Sequence, residues 1–242
     1  MTLINSFPYL EQKNIHLWWS FLSQCKATTQ QWETLAPDEQ ERALRFKRDR
    51  DYQRYVITRS TLRQFLAAYL QISAAEIQFS YGDKGKPRVD ESRHQQRIEF
   101  NLSHSQDLVL WGFSHDPVGV DVEYVKPDFD AEQIARRFFT QREHAAVQAQ
   151  STARQHFFFQ LWTRKESCIK ATGDSLFEQI SQLEIPCTPK QCSEWLSLDQ
   201  TELHVRDISL CDDYAAAIAS PVSGLNLSCF EIDLSQGLTL LS

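Results

Sequence analysis

Twice along this chain of 242 residues a long stretch with helical spacing gives way to short alternating runs, and that order constrains the fold more than any other feature. In the first half Tyr52, Tyr55, Val56, Arg59, Leu62, Leu66 and Tyr69 recur every three or four residues, which predicts one amphipathic helix over residues 48–69. Upstream, Pro37 followed by Asp38 and Glu39 marks a helix start: proline gives up an N–H that the first turn does not use, and acids suit the positive helix end. An extended segment over residues 7–19 precedes it. Strand-like runs follow at 77–81, 98–102 and 108–113, separated by turn chemistry at 82–87 and 103–107. The second half reads as a strand at 118–124, helical spacing over 130–148 and 153–171, and strands near 203–210 and 214–220. Helices followed by antiparallel runs argue for an α+β fold rather than alternating βαβ units. Thr58-Arg59 and Thr163-Arg164 lie 105 residues apart, as do the strand positions Val109 and Tyr214, a faint sign of duplication. We therefore expect two similar subdomains, residues 1–116 and 117–242, meeting near Pro117.

Several function classes are excluded by composition. With 42 % hydrophobic and 12 % aromatic residues the chain can bury a core, so disorder is not expected. A net charge of −7 gives no overall field for nucleic acid or an anionic membrane. The longest apolar stretches, at 157–159 and 215–219, fall far short of the roughly 20 residues that span a bilayer. The first ten residues lack the charge and apolar pattern of a secretory signal, so a cytoplasmic location is expected. Six cysteines without a CxxC pair read as reduced thiols. No GxSxG elbow, GxxxxGK[ST] loop or GxGxxG turn is present.

Three segments can carry chemistry. In Val118-Gly119-Val120-Asp121-Val122-Glu123-Tyr124, strand alternation puts the valines on one face and both carboxylates on the other. Paired oxygens suit a hard divalent cation; a merely wet acidic face is the alternative. In the second, FFFQLWTRKESCIKATG at 157–173, helical spacing aligns Trp162, Glu166 and Lys170, with Gly173 as the stop. Glu166 and Lys170 could be an ordinary surface pair, but the surrounding phenylalanines and indole imply a packed helix whose charges need partners. The third is a basic stretch: residues 42–63 hold eight arginines and lysines against two acids, Asp49 and Asp51. Phosphate is the natural ligand of such a patch, and a solvated helix face the alternative. Together these residues support a Mg²⁺-dependent enzyme acting on a phosphate-rich small molecule. A different Mg²⁺-dependent phosphoryl or nucleotidyl transferase, or an adaptor gripping an acidic partner, would use the same residues.

Five motifs in register narrow the choice. Gly85-Lys86-Pro87, Phe100-Asn101-Leu102-Ser103-His104-Ser105, Gly119-Val120-Asp121-Val122-Glu123, Arg137-Phe138-Phe139 with Glu143, and Trp162 to Lys170 as WTRKESCIK resemble the Sfp-type phosphopantetheinyl transferases. The resemblance covers about residues 35–173. It implies two similar α+β subdomains related by a pseudo-twofold axis, with coenzyme A in the cleft between them. The basic helix and Gly-Lys-Pro turn would belong to the first, the metal carboxylates and the WTRKESCIK helix to the second. By the same resemblance, Asp121, Glu123 and Glu166 would hold Mg²⁺, and Lys170 would stabilise charge on the leaving diphosphate. Arg42, Arg54, Lys86, Ser103, His104 and Lys165 match coenzyme A-binding positions. Glu166, Glu143 or a metal-bound water would deprotonate the acceptor serine of an apo acyl or peptidyl carrier protein. The partner binds transiently and the enzyme is expected to act as a monomer. Val122 cannot be a middle metal ligand, so water would complete the shell. Glu39 stands where many relatives have a basic residue, which would weaken the phosphate contact there or leave it to Arg42 alone.

Overall fold

The computed structural model describes residues 7–23, 25–82, 86–90, 97–173, 180–181, 183–188, 192–198, 200–222, 224 and 226–235. Gly85 of the Gly-Lys-Pro turn lies outside them, as do the first six and last seven residues. The architecture is mixed helix and sheet. Strand β1 (Asn14–Phe21) is followed by three helices, α1 (Thr29–Thr34), α2 (Pro37–Leu44) and α3 (Asp49–Leu70). Strands β2 (Phe79–Tyr81) and β3 (Pro87–Val89) form a small ribbon, and β4 (Glu99–Ser105) and β5 (Leu108–Ser114) a hairpin. Then come β6 (Gly119–Tyr124), α4 (Ala131–Phe138), α5 (Gln141–Gln148), α6 (Arg154–Thr172), and strands β7 (Ser193–Leu198), β8 (Thr201–Asp207), β9 (Tyr214–Ser220) and β10 (Asn226–Glu231). Two four-stranded sheets result, ordered β10-β1-β5-β4 and β6-β9-β8-β7.

The helix limits follow from local chemistry. α2 begins on Pro37, and the Glu39 carboxylate accepts the Ala36 N–H at 2.8 Å. α3 ends on Gln71 in the left-handed region at φ 55°, and α6 on Gly173 at φ 79°. The helical spacing expected over 130–148 is two helices, not one. Thr140 breaks it: its hydroxyl accepts the Glu143 N–H at 3.3 Å while the Glu143 carboxylate accepts the Thr140 N–H at 2.8 Å, a capping box that starts α5.

Among the described residues, apolar clusters hold the sheets and helices together. Trp18, Phe65, Trp111 and Phe113 pack α3 on the first sheet, and Phe157, Phe158, Leu161 and Ile169 pack α6 on the second. Between the sheets Ile15, Leu17, Leu108 and Leu110 meet Val118, Val120, Val122 and Ile218. Side chains pack directly on the Gly112 backbone at this seam: a Cβ there would lie 2.7 Å from Val120 Cγ1. Even-numbered β6 residues thus fill the seam, and the odd-numbered ones, Gly119, Asp121 and Glu123, face α6 and β4. β10 departs from simple chain order, pairing in parallel with β1 from Asn14↔Asn226 to Trp19↔Glu231. All six cysteines are free thiols, and no helix among the described residues is long and apolar enough to cross a membrane.

Candidate active site

Two strands and one helix converge on a cluster of three carboxylates. Asp121 and Glu123 come from β6, Glu166 from α6, and one oxygen of each lies within 4.8 Å of the others. The face carrying the acids is not wet: Asp121 is 1 % exposed. Two serines on β4 reach across to it. Ser103 donates to Asp121 Oδ1 at 2.7 Å and Ser105 to Glu123 Oε2 at 2.6 Å, while Asn101 Oδ1 accepts the Val120 N–H at 2.9 Å. Residues 101, 103 and 105 alternate onto one strand face, so one hairpin edge braces the carboxylate strand. The motif implied a cofactor contact for Ser103 and no role for Asn101 or Ser105, although their i, i+2 spacing was a usable signal of this bracing.

Lys170 closes the cluster. Its ammonium lies 2.6 Å from Asp121 Oδ1, 3.4 Å from Glu166 Oε2 and 3.2 Å from Ser103 Oγ. Burial opposes its charge, yet Asp121 and Glu166 outweigh that and hold its pKa above the ordinary lysine value. The Glu166 carboxyl is pushed up to about 7, first by burial and then by the neighbouring Asp121. Burial likewise raises Glu123. The Asp121 Oδ2 atom is buried with no hydrogen-bond partner. An all-oxygen donor set, crowded like charges and one orphaned buried carboxylate oxygen are what a hard divalent cation satisfies, so these residues fit Mg²⁺.

Beside the cluster, α2, α3, the β2–β3 ribbon and β4 enclose a cavity of about 400 Å³. Arg42, Asp51, Arg54, Thr58, Arg59, Lys86, Asn101 and His104 line it with polar side chains, and Phe46, Tyr55, Tyr81 and Phe100 form its aromatic walls. The structure thus brings Arg42, Arg54, Lys86 and His104 together. The cavity walls, Arg54 and Lys170 lower the His104 pKa. A second cavity, of about 490 Å³, shares Arg54 with the first.

Three expectations are corrected here. Four of the eight basic residues of the stretch are held by two carboxylates that lie outside it, Glu39 and Asp107. Arg59 and Arg63 both grip the buried Glu39, Arg63 at 2.6 Å, and Arg63 also donates to the Ala74 and Ile77 carbonyls. Arg50 and Arg54 pair with Asp107 at 3.2 and 2.5 Å. Glu39 therefore does not simply weaken a phosphate contact; it anchors two arginines. Lys165, expected at the cofactor, is instead fully buried, donating to the Ile180 and Leu183 carbonyls and pairing with Glu143 at 2.9 Å. Glu143, expected as a base, is equally buried. One of its oxygens accepts the Ile185 N–H and the other the Thr140 N–H, so it braces the fold and is not brought to the carboxylate cluster.

Comparison with known proteins agrees with this geometry. Residues 117–219 match the model of the 4'-phosphopantetheinyl transferase superfamily, and residues 19–114 match the model of a 4'-phosphopantetheinyl transferase N-terminal region. The 4'-phosphopantetheinyl transferase HetI of Nostoc sp. is 36 % identical over 180 residues, 73 % of this chain and 76 % of the relative. The 4'-phosphopantetheinyl transferase gsp of Aneurinibacillus migulanus is 28 % identical over 204 residues, covering 84 % and 83 %. For the 4'-phosphopantetheinyl transferase Sfp of Bacillus subtilis the figures are 32 % over 143 residues, 59 % and 62 %. With both halves matched and the carboxylates of β6 and α6 inside the matched regions, the chain belongs to the Sfp-type 4'-phosphopantetheinyl transferase family and is a transferase.

Proposed function

We propose that this transferase moves the 4'-phosphopantetheine group of coenzyme A onto a serine of an apo acyl or peptidyl carrier protein, with Mg²⁺ as its metal. The observation that carries the reading is the adjacency of two unlike features. A three-carboxylate cluster, with Asp121 buried and Glu123 and Glu166 half-buried, shares strand β4 with an arginine- and aromatic-lined cavity of about 400 Å³. The first suits a cation on a pyrophosphate, the second a phosphorylated nucleoside.

Asp121, Glu123 and Glu166 would hold the ion, which when bound supplies positive charge against the pyrophosphate oxygens. The rest falls to the chain. Arg42, Arg54 and His104 take the 3'-phosphate end of the nucleotide, and Phe46 and Tyr55, whose ring centroids lie 5.4 Å apart, offer flat apolar faces. Lys170 stabilises charge building on the departing phosphate. The serine Oγ attacks the β-phosphorus of coenzyme A, forming a new O–P bond. The P–O bond to the α-phosphate breaks, and 3',5'-ADP leaves with the electron pair. The serine proton passes to Glu166, the carboxylate that α6 sets in the cluster beside Lys170.

The same reading extends to the fold, as two α+β halves related by a pseudo-twofold axis with the site in the cleft between them, divided near residue 117. The connectivity supports it. β1, two short helices, α3 and the β4–β5 hairpin are matched by β6, two short helices, α6 and the β8–β9 hairpin, and β1 pairs with β5 as β6 pairs with β9. The starts Asn14 and Gly119, like Asp49 and Arg154, are 105 residues apart. On this account the enzyme works as a cytoplasmic monomer that meets its carrier transiently. The test is intact-mass analysis of an apo carrier incubated with the protein, coenzyme A and Mg²⁺. One phosphopantetheine arm should be gained and EDTA should abolish the gain; no gain across several unrelated carriers would refute the reading.

A further inference from the structure

We propose that Lys86 is a positioning residue: from the nucleotide cavity its ammonium ties the end of α6 to the start of β6 and so sets the spacing of the carboxylate cluster. This rests on the cation-binding role of Asp121, Glu123 and Glu166 proposed above. The resemblance that first singled out Lys86 implies a nucleotide contact, but its ammonium is directed elsewhere. It donates to the Lys170 carbonyl at 2.7 Å and lies 3.4 Å from the Val118 carbonyl.

Each partner sits where small displacements matter. The Lys170 carbonyl belongs to the last turn of α6, where carbonyls lack helical partners and a cation meets the negative end of the helix. The side chain of that same residue holds Asp121. Val118 immediately precedes β6, the strand carrying Asp121 and Glu123. Between these two tethered points the backbones nearly touch. A Cβ on Gly119 would lie 2.0 Å from the Ser167 carbonyl oxygen and 2.4 Å from the Ala171 nitrogen. Gly119 permits the approach, but an absent side chain cannot hold it. Lys86 adds a hold at this end of the contact, beside the Lys170–Asp121 pair, reaching from the first half of the chain to two backbone carbonyls of the second. Because the Lys86 side chain also lines the nucleotide cavity beside Pro87 and Phe100, one side chain serves both halves of the site.

The test is a Mn²⁺ titration of the full-length protein, read by electron paramagnetic resonance of the free ion, without any nucleotide. Wild type, Lys86→Met and Lys86→Arg are compared, with circular dichroism melts run alongside. The Met variant should bind Mn²⁺ at least roughly tenfold more weakly, as removal of residues supporting metal ligands does elsewhere, and Arg, which keeps its donors, should restore most of the affinity. Should Lys86→Met fail to fold, Lys86→Gln is read instead, with a loss of about threefold or more expected. If the folded variants bind Mn²⁺ like wild type and only the KM for coenzyme A rises, Lys86 is a nucleotide contact and the proposal is overturned. If wild type itself binds no Mn²⁺, the cation-site reading fails first, a separate and distinguishable result.

Discussion

Removing Glu143 should cost stability and leave transfer chemistry intact. Glu143 and Lys165 are both fully buried and 2.9 Å apart, with Lys165 also donating to two carbonyls and Glu143 accepting two backbone N–H groups. Deleting one partner of such a pair strands the other charge, a loss of about 3–5 kcal/mol. Lys165 has a partial escape, because burial already lowers its pKa and neutralisation relieves the stranded charge, so about 3 kcal/mol is the better figure for Glu143→Gln. Gln keeps an oxygen for the Ile185 N–H, whereas Glu143→Ala also strips the α5 cap, worth a further ~1 kcal/mol. At roughly 2–4 °C per kcal/mol for a chain this size, the Gln variant should melt about 6–12 °C lower. The double variant Glu143→Leu/Lys165→Met removes both charges and should recover a large part of the loss, since paired apolar replacements are often neutral. The assay is a thermal melt alongside kcat for phosphopantetheine transfer, taken well below the melting point. A Glu143→Gln protein with near wild-type melting but kcat down a hundredfold would refute the structural assignment and return Glu143 to the chemistry.

Three further outcomes follow from other parts of the molecule. His16 is buried with its Nδ1 2.9 Å from the Tyr69 hydroxyl, which itself takes the Trp18 N–H, and burial lowers its pKa to about 4. The unfolded chain therefore binds this proton first, so stability should fall by up to ~3 kcal/mol as pH drops from about 6.5 to 4, and urea unfolding of His16→Gln should lack that component. Glu166, raised to about 7, must lose its proton to serve a cation, so Mn²⁺ affinity should weaken up to about tenfold per pH unit below 7, a slope that calorimetry at pH 5.5–8 would reveal and that Glu166→Gln would abolish. Gly119→Ala places a methyl 2.0 Å from a backbone oxygen with no flexible side chain to yield, so it should cost at least ~3 kcal/mol and lower the soluble yield sharply; wild-type melting would contradict the close approach.

Local patterns were legible in the sequence and long-range partnerships were not. The spacing of Tyr52 to Tyr69 located α3 to within a residue at each end, and the alternation from Val118 to Tyr124 put Asp121 and Glu123 on one face, as β6 does. Each depends only on neighbours in the chain. The basic stretch was overread because its neutralising acids lie outside it. Glu39 is 24 residues from Arg63, and Asp107 is 53 from Arg54. The fate of Lys165 likewise depends on Glu143 and on carbonyls after α6, which no helical spacing reveals. The parallel pairing of β10 with β1 joins residues 212 apart, and neither strand carries a local mark of it. The break at Thr140 was the exception: its T-x-x-E signature was in plain sight within a stretch read as continuous helix.

The most direct test of the account is a crystal structure of the protein with Mn²⁺ and coenzyme A, with the metal located by its anomalous scattering. The account predicts one anomalous peak at ligand distance from oxygens of Asp121, Glu123 and Glu166, with Lys170 displaced no further than the adjoining phosphate and the nucleotide seated among Arg42, Arg54 and His104. A peak away from these carboxylates, or a nucleotide bound outside that cavity, would contradict it.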